Sequence, residues 1–377
     1  MMIKKCKLCV LDTTVPEIKF NQEGICNFCK LHFEFQKFYP ISKKKLLELK
    51  SKILNHNKND KYDCICGVSG GRDSTYNLYI VKKIMKLNPL AVHYDNGWGT
   101  KISTENIKNS CDKLKVDLVT VVENWNTFKN IQKAFLYSSV PDIDVPTDIG
   151  ILKATYDIAD RFNIKYILNG HSFRNEGFDP LNWTYIDGKY LQDVSLRWNK
   201  RIDIKSKFHN FYLKDFFYYK IFKNIKIDLP LNYVNYNHGE VENTLINKCN
   251  WSYYDGHHFE SAFTKFSVGY YLPKKFNIDR RKVDLSARIR EGKINRNDAL
   301  EILKTPIGKK INPNLVDYVL SKLEISKNDF DKILSKKNKN FKDFKSYYSL
   351  IKRLDFPIKI AVKLGLIPKI LYYKFKA

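Results

Sequence analysis

The sequence lacks the features of a membrane or secreted protein. It contains no run of about 18 apolar residues, so it predicts no membrane-spanning helix. The N-terminal segment MMIKKCKLC has no apolar core of a secretory signal. Hydrophobic residues make up 44% of the chain and aromatic residues 14%, which is enough to build a core. We therefore expect a folded cytoplasmic protein, and its 377 residues predict two or three domains.

Acidic residues are few, and the positive charge is not concentrated. The chain has 40 Asp and Glu residues against 66 Lys and Arg residues, a formal net charge of +26. Such a balance is typical of a protein with a polyanion partner such as RNA, or of a Lys-rich composition that spreads charge over the surface. No run of about five like charges occurs, which favours the second interpretation. We expect no nucleic-acid partner, and a positive field also suits a nucleotide or a nucleotide-linked sugar.

Apolar runs alternate with helical patterns between residues 62 and 168, which predicts an α/β fold with a parallel sheet. In such sheets ligands bind at the carboxyl ends of the strands. The segments Ser69–Ser74, Asp95–Trp98 and Asn169–Glu176 fall at these ends. Residues 279 to 377 show helical patterns and little strand signal. We expect domains at 1–40, 41–205 and 206–377, the last mainly helical and concerned with substrate or partner.

The segment Val68–Thr75, VSGGRDST, follows a predicted strand and opens a predicted helix. It matches neither the G-x-x-x-x-G-K-[ST] loop nor the dinucleotide G-x-G-x-x-G pattern. Its glycines allow close backbone approach to a phosphate, and the helix start supplies unpaired N–H groups. Asp73 is placed to cap the helix or to reach a Mg²⁺ bound to the phosphates. An ordinary capped turn is the alternative, but the full residue order favours a phosphate site.

These residues resemble the loop of the PP-loop ATP pyrophosphatase superfamily (adenine nucleotide alpha hydrolase-like). The resemblance implies cleavage of ATP between its α- and β-phosphates, with AMP placed on a substrate oxygen. It also implies that two later strand ends lie near the adenosine and the phosphates. The nucleotide-binding residues expected on this basis are Ser69, Gly70, Gly71, Arg72, Asp73, Ser74, Tyr94, Asp95, Asn169 and Gly170.

Four of the eight cysteines form two C-x-x-C pairs near the N-terminus, Cys6 with Cys9 and Cys26 with Cys29. This spacing is typical of a zinc ribbon, in which two knuckles give four thiolates to one Zn²⁺. Four sulfur ligands leave no open position for substrate, so the predicted zinc is structural. The other four cysteines receive no catalytic role.

A second resemblance is more specific and covers most of residues 1–305. The segments Cys6–Cys29, Gly170–Gly177 and Trp251–Ser261 are similar to those of the N-acetyl sugar amidotransferases of O-antigen and flagellin sugar synthesis. The sequence departs from that family at Asp255 and His257, where glycine and lysine are usual. The resemblance implies an ATP-dependent, AMP- and pyrophosphate-forming carbon–nitrogen ligase. Its product is an acetamidino sugar, made from a nucleotide-linked diacetamido sugar whose identity stays open.

This chemistry needs charge neutralisation and proton transfer. Candidates for contacts with phosphate or carboxylate are Arg72, Arg174, Arg280 and Arg281, and candidates for proton handling are His171, His258 and Glu260. Together with Asp73, we expect Arg174, His171, His258 and Glu260 to be catalytic.

Ammonia needs a source that this sequence does not supply. It has neither an N-terminal cysteine nucleophile nor a G-x-C-x-G element of a glutaminase. The resemblance implies a separate glutaminase partner, akin to the two-subunit imidazole glycerol phosphate synthase.

Two other functions stay open from the sequence. A tRNA-modifying PP-loop enzyme, a thiolase or a lysidine synthetase, also fits the basic charge. Such thiolases use further cysteines near the ATP site, whereas no C-x-x-C pair follows residue 75 here. A nucleotide-binding regulatory module without turnover is the third possibility, and the intact loop argues against it.

Overall fold

The computed structural model describes residues 3–56, 61–254, 256 and 259–363. Its centre is a five-stranded parallel sheet with the order β3-β2-β1-β4-β5. The strands are β1 (Cys64–Gly67), β2 (Pro89–Asp95), β3 (Leu118–Val122), β4 (Tyr166–Leu168) and β5 (Lys226–Asp228). No helix among the described residues is long and apolar enough to cross a membrane.

The helices are α1 (Asn27–Phe38), α2 (Lys43–His56), α3 (Arg72–Tyr79), α4 (Lys101–Leu114), α5 (Trp125–Tyr137), α6 (Val145–Arg161), α7 (Phe173–Glu176), α8 (Gly188–Trp198), α9 (Ile204–Lys207), α10 (Leu213–Phe217), α11 (His238–Cys249), α12 (Ala262–Phe266), α13 (Arg281–Arg290), α14 (Arg296–Lys304), α15 (Pro313–Lys322), α16 (Lys327–Ser335), α17 (Tyr348–Arg353) and α18 (Asp355–Lys363). Short π-helical turns follow α3, α10 and α12. From α11 onward the described chain is helical, which confirms the helical C-terminal region.

The sheet positions the predicted ligand segments at one edge. β1 and β4 lie at its centre and are almost wholly buried, as expected of parallel strands covered by helices on both faces. In the pairing register, Gly67 lies opposite Val92, and Asp95 lies opposite Val122. The loops after β1, β2 and β4 therefore leave from the same edge, which confirms the predicted α/β fold.

The sheet extends beyond the boundary expected at residue 205. β5 pairs with β4 through Tyr166 and Lys226, although it lies in the segment assigned to the helical region. β5 is a three-residue edge strand within an aromatic-rich stretch. Its alternation of apolar and polar residues is too short to predict a strand from the sequence. The α/β unit therefore includes residues on both sides of 205.

The N-terminal unit packs onto the rest of the molecule. Phe35 of α1 contacts Phe173 and Phe178, which follow β4, with ring centroids 5.5 and 4.9 Å apart. The backbone N–H of Val10 donates to Ser286 Oγ of α13 at 3.3 Å. The four-cysteine unit and the C-terminal helices thus share one hydrophobic core.

The buried Asp142 gives the fold a pH dependence. Its Oδ1 accepts a 2.8 Å hydrogen bond from the Tyr190 hydroxyl, but burial raises the pKa of Asp142 to about 7. Because this pKa exceeds the unfolded value, folding favours the protonated carboxyl, and the stability it contributes is lost as the pH rises through about 7. Asp142→Asn should therefore stabilise the protein more at pH 8 than at pH 5, by about 2–3 kcal/mol.

Chemical denaturation at the two pH values measures this difference. Asp331→Asn, at an exposed position of α16, is the matched control and should show no such difference. An equal effect of Asp142→Asn at both pH values would contradict the assignment of a neutral buried carboxyl.

Candidate functional site

The loop between β1 and α3 has a conformation that requires glycine. Gly70 has φ +78°, in the left-handed region, and a Cβ there would lie 2.2 Å from the backbone oxygen of Ser103. The Gly70 carbonyl accepts hydrogen bonds from Trp251 Nε1 at 2.9 Å and from Asn106 Nδ2 at 3.3 Å. The loop is therefore held from outside by two side chains.

Hydroxyl groups connect the two ends of this loop. The backbone N–H of Ser69 donates to Ser74 Oγ at 3.1 Å, and Ser74 Oγ donates to the Gly71 carbonyl at 3.2 Å. The N–H of Gly71 donates to Ser69 Oγ at 3.3 Å. α3 has no side-chain cap, so Asp73 does not cap the helix. The start of α3 is thus a helix N-terminus without a side-chain cap, a place where anions can bind.

The Glu260 carboxylate lies against this loop. Ser69 Oγ donates to Glu260 Oε1 at 3.3 Å, and a Cβ on Gly71 would meet the same oxygen at 2.6 Å. The N–H of Arg72 donates to the Tyr254 hydroxyl at 3.0 Å. Two oxygens, from Tyr254 and Glu260, therefore lie against the loop.

Asp73 and Arg72 belong to one polar network. The Tyr236 hydroxyl donates to Asp73 Oδ1 and accepts from Arg72 Nε at 3.0 Å. Arg72 Nη1 donates to Glu242 of α11 at 2.8 Å. The network fixes the Asp73 carboxylate at the first turn of α3.

The end of β2 carries the expected Tyr94 and Asp95. The buried Tyr94 hydroxyl donates to Glu123 at 2.7 Å, and the His209 ring shares that carboxylate at 2.8 Å. This hydrogen bond raises the pKa of His209. Asp95 accepts from the N–H of Gly97 at 2.9 Å. Tyr94 is thus committed to a hydrogen-bonded group with Glu123 and the partly exposed His209, while Asp95 stays at the carboxyl end of β2.

The end of β4 approaches the loop directly. A Cβ on Gly170 would lie 2.8 Å from the backbone oxygen of Asp73, so this glycine permits close contact with the start of α3. The side chain of Asn169 lies beside Gly67, 3.6 Å from the position of an added Cβ. The His171 ring lies beside the Glu176 carboxylate. Asn169 and Gly170 therefore lie next to the loop at Ser69–Ser74 (the phosphate loop), and their contact with a nucleotide stays a prediction.

Arg174 does not contact the loop. It is 5% exposed, and its guanidinium donates to Glu291 at 2.6 and 2.7 Å and to the Tyr39 carbonyl at 2.6 Å. The Glu291 carboxylate and the Tyr39 carbonyl hold the Arg174 side chain between the N-terminal unit and α13. A catalytic role for Arg174 stays a prediction, and its contacts are those of a structural ion pair.

The other two candidate arginines are also paired with carboxylates. Arg280 pairs with Asp179, and Arg281 pairs with Asp279 at 2.6 Å. His258 lies outside the described residues, as do Asp255 and His257.

The four predicted metal ligands come together. The sulfurs of Cys6, Cys9, Cys26 and Cys29 all lie within 4.8 Å of one another and are buried. Three of the separations are 3.6, 3.8 and 3.9 Å. Four sulfurs about 2.3 Å from one tetrahedral ion lie roughly 3.8 Å apart. Thiolates that bind different irons of a cluster lie farther apart, so the geometry fits a single ion.

A buried arginine neutralises this sulfur cluster. Arg290 of α13 donates to Cys29 Sγ at 3.2 Å and to Cys9 Sγ at 3.4 Å. Arg296 donates to the carbonyls of Cys9 and Cys6 at 3.1 and 3.0 Å. Four thiolates around a divalent ion carry two excess negative charges, and these guanidinium groups offset them.

Several residues at the site were not expected from the sequence. Tyr236 lies just before α11, Glu242 lies in α11, and Arg288 lies in α13. All three are far along the chain from the loop. Tyr254 lies in a segment that resembles a family motif, and that resemblance was the only signal for it.

Comparisons with known proteins give one family match. The model of the family "LPS biosynthesis protein WbpG-like, C-terminal domain" matches residues 260–355. The uncharacterized protein MJ1599 of Methanocaldococcus jannaschii is 30% identical over 170 residues. The match covers 44% of this chain and 58% of that relative, which is less than two thirds of its length.

Solved structures show weaker likeness. The NH3-dependent NAD synthetase of Campylobacter jejuni is 13% identical with a TM-score of 0.32, over 81% of this chain and 98% of that chain. The tRNA thiolase NcsA of Methanococcus maripaludis, with a 4Fe-4S cluster, is 14% identical with a TM-score of 0.30, over 81% and 89%. Likeness at this level carries no functional argument.

The family match covers α12 to α17 and includes Glu260, which contacts the phosphate loop, and Arg290, which contacts the cysteine sulfurs. Residues 260–355, which the family model matches, therefore contribute contacts both to the loop and to the cysteine cluster. The match over residues 260–355 supports the resemblance to the N-acetyl sugar amidotransferases.

Proposed function

We propose that this protein is an ATP-dependent amidotransferase. It converts an N-acetyl group of a nucleotide-linked sugar into an acetamidine. The observation that carries the proposal is the glycine-bearing loop at the start of α3, joined by Glu260 from the segment that matches an LPS biosynthesis family. The sugar and its nucleotide are proposals at the level of class, a diacetamido sugar on UDP or CMP.

The chemistry follows from the weak electrophilicity of an amide. The carbonyl oxygen of the N-acetyl group attacks the α-phosphorus of ATP, and pyrophosphate leaves. Ammonia then adds to the activated carbon, loses a proton, and expels AMP with the former amide oxygen. Each step develops charge on phosphate oxygens, which the N–H groups of residues 69–72 and the start of α3 stabilise.

Side chains around the loop have distinct tasks in this proposal. Ser69 and Ser74 donate hydroxyl hydrogen bonds to the departing phosphates, and Asp73 holds the accompanying Mg²⁺. Glu260 and His171 are the proposed proton acceptors from ammonia. The magnesium ion neutralises phosphate charge when ATP is bound.

The metal proposed for the four cysteines is structural zinc. Their separations suit one tetrahedral ion, and four thiolates leave no position for a substrate. The zinc centre anchors residues 3–38 to α13 through Arg290, so it supports the fold and takes no part in amide activation.

A specific observation favours amide transfer over tRNA thiolation. Thiolation needs ionisable, accessible cysteines near ATP, whereas Cys64, Cys66, Cys111 and Cys249 are all buried. Burial raises the pKa of Cys111 to about 12 and that of Cys249 to about 11. These thiols are poor sulfur carriers.

Ammonia comes, in this proposal, from a separate glutaminase. Purified protein should use ammonium and should fail to use glutamine unless that partner is added. Product formation from glutamine by the purified chain alone would sink this part of the proposal.

A panel of nucleotide-linked N-acetyl sugars, incubated with ATP, Mg²⁺ and ammonium and followed by mass spectrometry, tests the function. The expected product is lighter than its substrate by the difference between an oxygen atom and an NH group, with AMP and pyrophosphate formed in equal amounts. ATP cleavage stimulated by tRNA and by no sugar would overturn the proposal.

The Glu260 carboxylate should compete with the phosphates of ATP for the loop. It lies 3.3 Å from Ser69 Oγ, so a bound phosphate meets a like charge or must displace it. Glu260→Gln should lower the Kd for ATP about tenfold while reducing turnover, because it removes charge repulsion and a proton acceptor together.

Calorimetric titration with ATP and a separate turnover assay measure the two effects. Glu105→Gln, at an exposed position of the adjacent helix α4, removes the same charge away from the loop and should change neither. Weaker ATP binding by Glu260→Gln would contradict the competition.

A further inference from the structure

A small cavity adjoins the network that holds Asp73. Tyr236, whose hydroxyl contacts Asp73, forms part of its wall. Asn175, from α7 after β4, and Arg288, from α13, form other parts. The cavity therefore lies between the phosphate-loop network, the end of β4 and the C-terminal region, where three separate segments meet.

Glu291 lines the cavity, and its carboxylate is already neutralised by Arg174. Glu291 accepts two hydrogen bonds from Arg174 Nη1, at 2.7 and 2.6 Å, and further ones from His32 at 2.7 Å and Gln36 at 2.9 Å. Its negative charge is thus balanced by Arg174. It is not available to neutralise other cations of the cavity.

Two residues that line the cavity, Asn175 and Arg288, each carry a buried donor that lacks an acceptor in the described part of the chain. Asn175 is 5% exposed, and its Nδ2 has no hydrogen-bond partner within residues 3–56, 61–254, 256 and 259–363. In the same part of the chain, the buried Nε of Arg288 also has none. Buried donors left without partners are costly, so such groups are normally satisfied by a ligand or water.

The electrostatics of the cavity favour an anion. Burial and the positive charge of Arg72 lower the pKa of Arg288, and Asp284, one turn earlier in α13, opposes them. Arg72 itself is bonded to Glu242 and lies beside Asp73. Lys293 adds a further cation, which donates to Asn235 at 2.6 Å. An anion placed near Arg288 would relieve the repulsion between the two guanidinium groups.

We propose that Arg288 and Asn175 form an oxyanion-binding subsite beside the phosphate loop. A guanidinium and a carboxamide offer several N–H donors, which match the oxygens of a phosphate or a carboxylate. The identity of the ligand rests on the proposed function. The oxyanion is either the pyrophosphate end of ATP or the phosphate or carboxylate of the nucleotide sugar.

Calorimetry with two probes tests the subsite without any turnover. The probes are inorganic pyrophosphate with Mg²⁺, and UDP-glucuronate, which carries both a diphosphate and a carboxylate. Arg288→Gln should raise the Kd for at least one probe about tenfold or more, Asn175→Ala should raise the same Kd by less, and Arg288→Lys should restore part of the loss. Loss confined to pyrophosphate assigns the subsite to ATP, and loss confined to UDP-glucuronate assigns it to the acceptor.

Arg197→Gln is the matched control, since Arg197 is half exposed on α8 and paired with Asp193. It should bind both probes as the unaltered protein does. Unchanged Kd values for both probes in Arg288→Gln, at an unchanged melting temperature, would overturn the subsite. If Arg288→Gln fails to fold, Asn175→Ala takes its place. Equal Kd values of Asn175→Ala and the unaltered protein for both probes would then overturn the subsite.

The result is separable from the amidotransferase proposal. Weaker probe binding by Arg288→Gln, in a protein that forms no amidine from any sugar, would sink the amidotransferase and leave the subsite. Amidine formation by Arg288→Gln at unaltered KM values for ATP and sugar would support the amidotransferase and overturn the subsite.

Discussion

Asp73→Ala should reduce ATP-dependent turnover about a thousandfold. The carboxylate lies in the first turn of α3, fixed by the Tyr236 hydroxyl, and is the proposed ligand of the Mg²⁺ that accompanies ATP. Without it, the charge that develops on the departing pyrophosphate loses its metal partner. Release of pyrophosphate, measured with saturating sugar and ammonium, gives the rate.

Asp331→Ala is the control for this experiment, because it removes an exposed carboxylate from α16, a helix that contributes nothing to the loop. Its rate should equal that of the unaltered protein. A rate for Asp73→Ala within threefold of that value would contradict the role given to the phosphate loop.

Cys26→Ser should abolish stable metal binding and strongly destabilise the protein. Cys26 Sγ lies 3.6 Å from Cys29 Sγ and 3.8 Å from Cys9 Sγ, so its loss opens the tetrahedral site. Structural zinc contributes on the order of 10 kcal/mol to the folding of small zinc modules. The buried Arg290 would also lose the negative charge that balances it. Elemental analysis and thermal denaturation measure the two effects.

Cys249→Ala is the appropriate comparison, since it removes a buried cysteine at the end of α11 and leaves the four-sulfur cluster intact. It should keep one zinc per chain. Iron in the purified unaltered protein, with the visible absorption of an iron–sulfur cluster, would contradict the zinc assignment, and so would full zinc content in Cys26→Ser.

The parts of the site that the sequence predicts are local in the chain. The phosphate loop and the two cysteine pairs are short segments in which chemistry depends on adjacent residues. Gly70 illustrates this, because glycine in a strand-to-helix turn permits the positive φ that the loop adopts there. The strand ends at Asp95 and Asn169 were predictable for a related reason, since parallel strands share one carboxyl edge.

Residues whose surroundings come from distant segments were not predictable. Arg174 was expected to contact phosphate, yet the structure pairs it with Glu291, which lies 117 positions later. Asn175 and Arg288 come from distant segments, and only the fold makes both of them line one cavity and leaves a buried donor of each without a partner among the described residues. The sequence does not predict β5, because a three-residue edge strand carries no periodic pattern.

Transfer of the amide oxygen to AMP tests the central claim most directly. A nucleotide sugar whose N-acetyl carbonyl carries a heavy oxygen isotope is incubated with the protein, ATP, Mg²⁺ and ammonium, and the AMP is analysed by mass spectrometry. The account predicts one heavy oxygen in each AMP and none in pyrophosphate, because the carbonyl oxygen attacks the α-phosphorus. Unlabelled AMP alongside amidine product, or release of ADP and labelled phosphate, would contradict it.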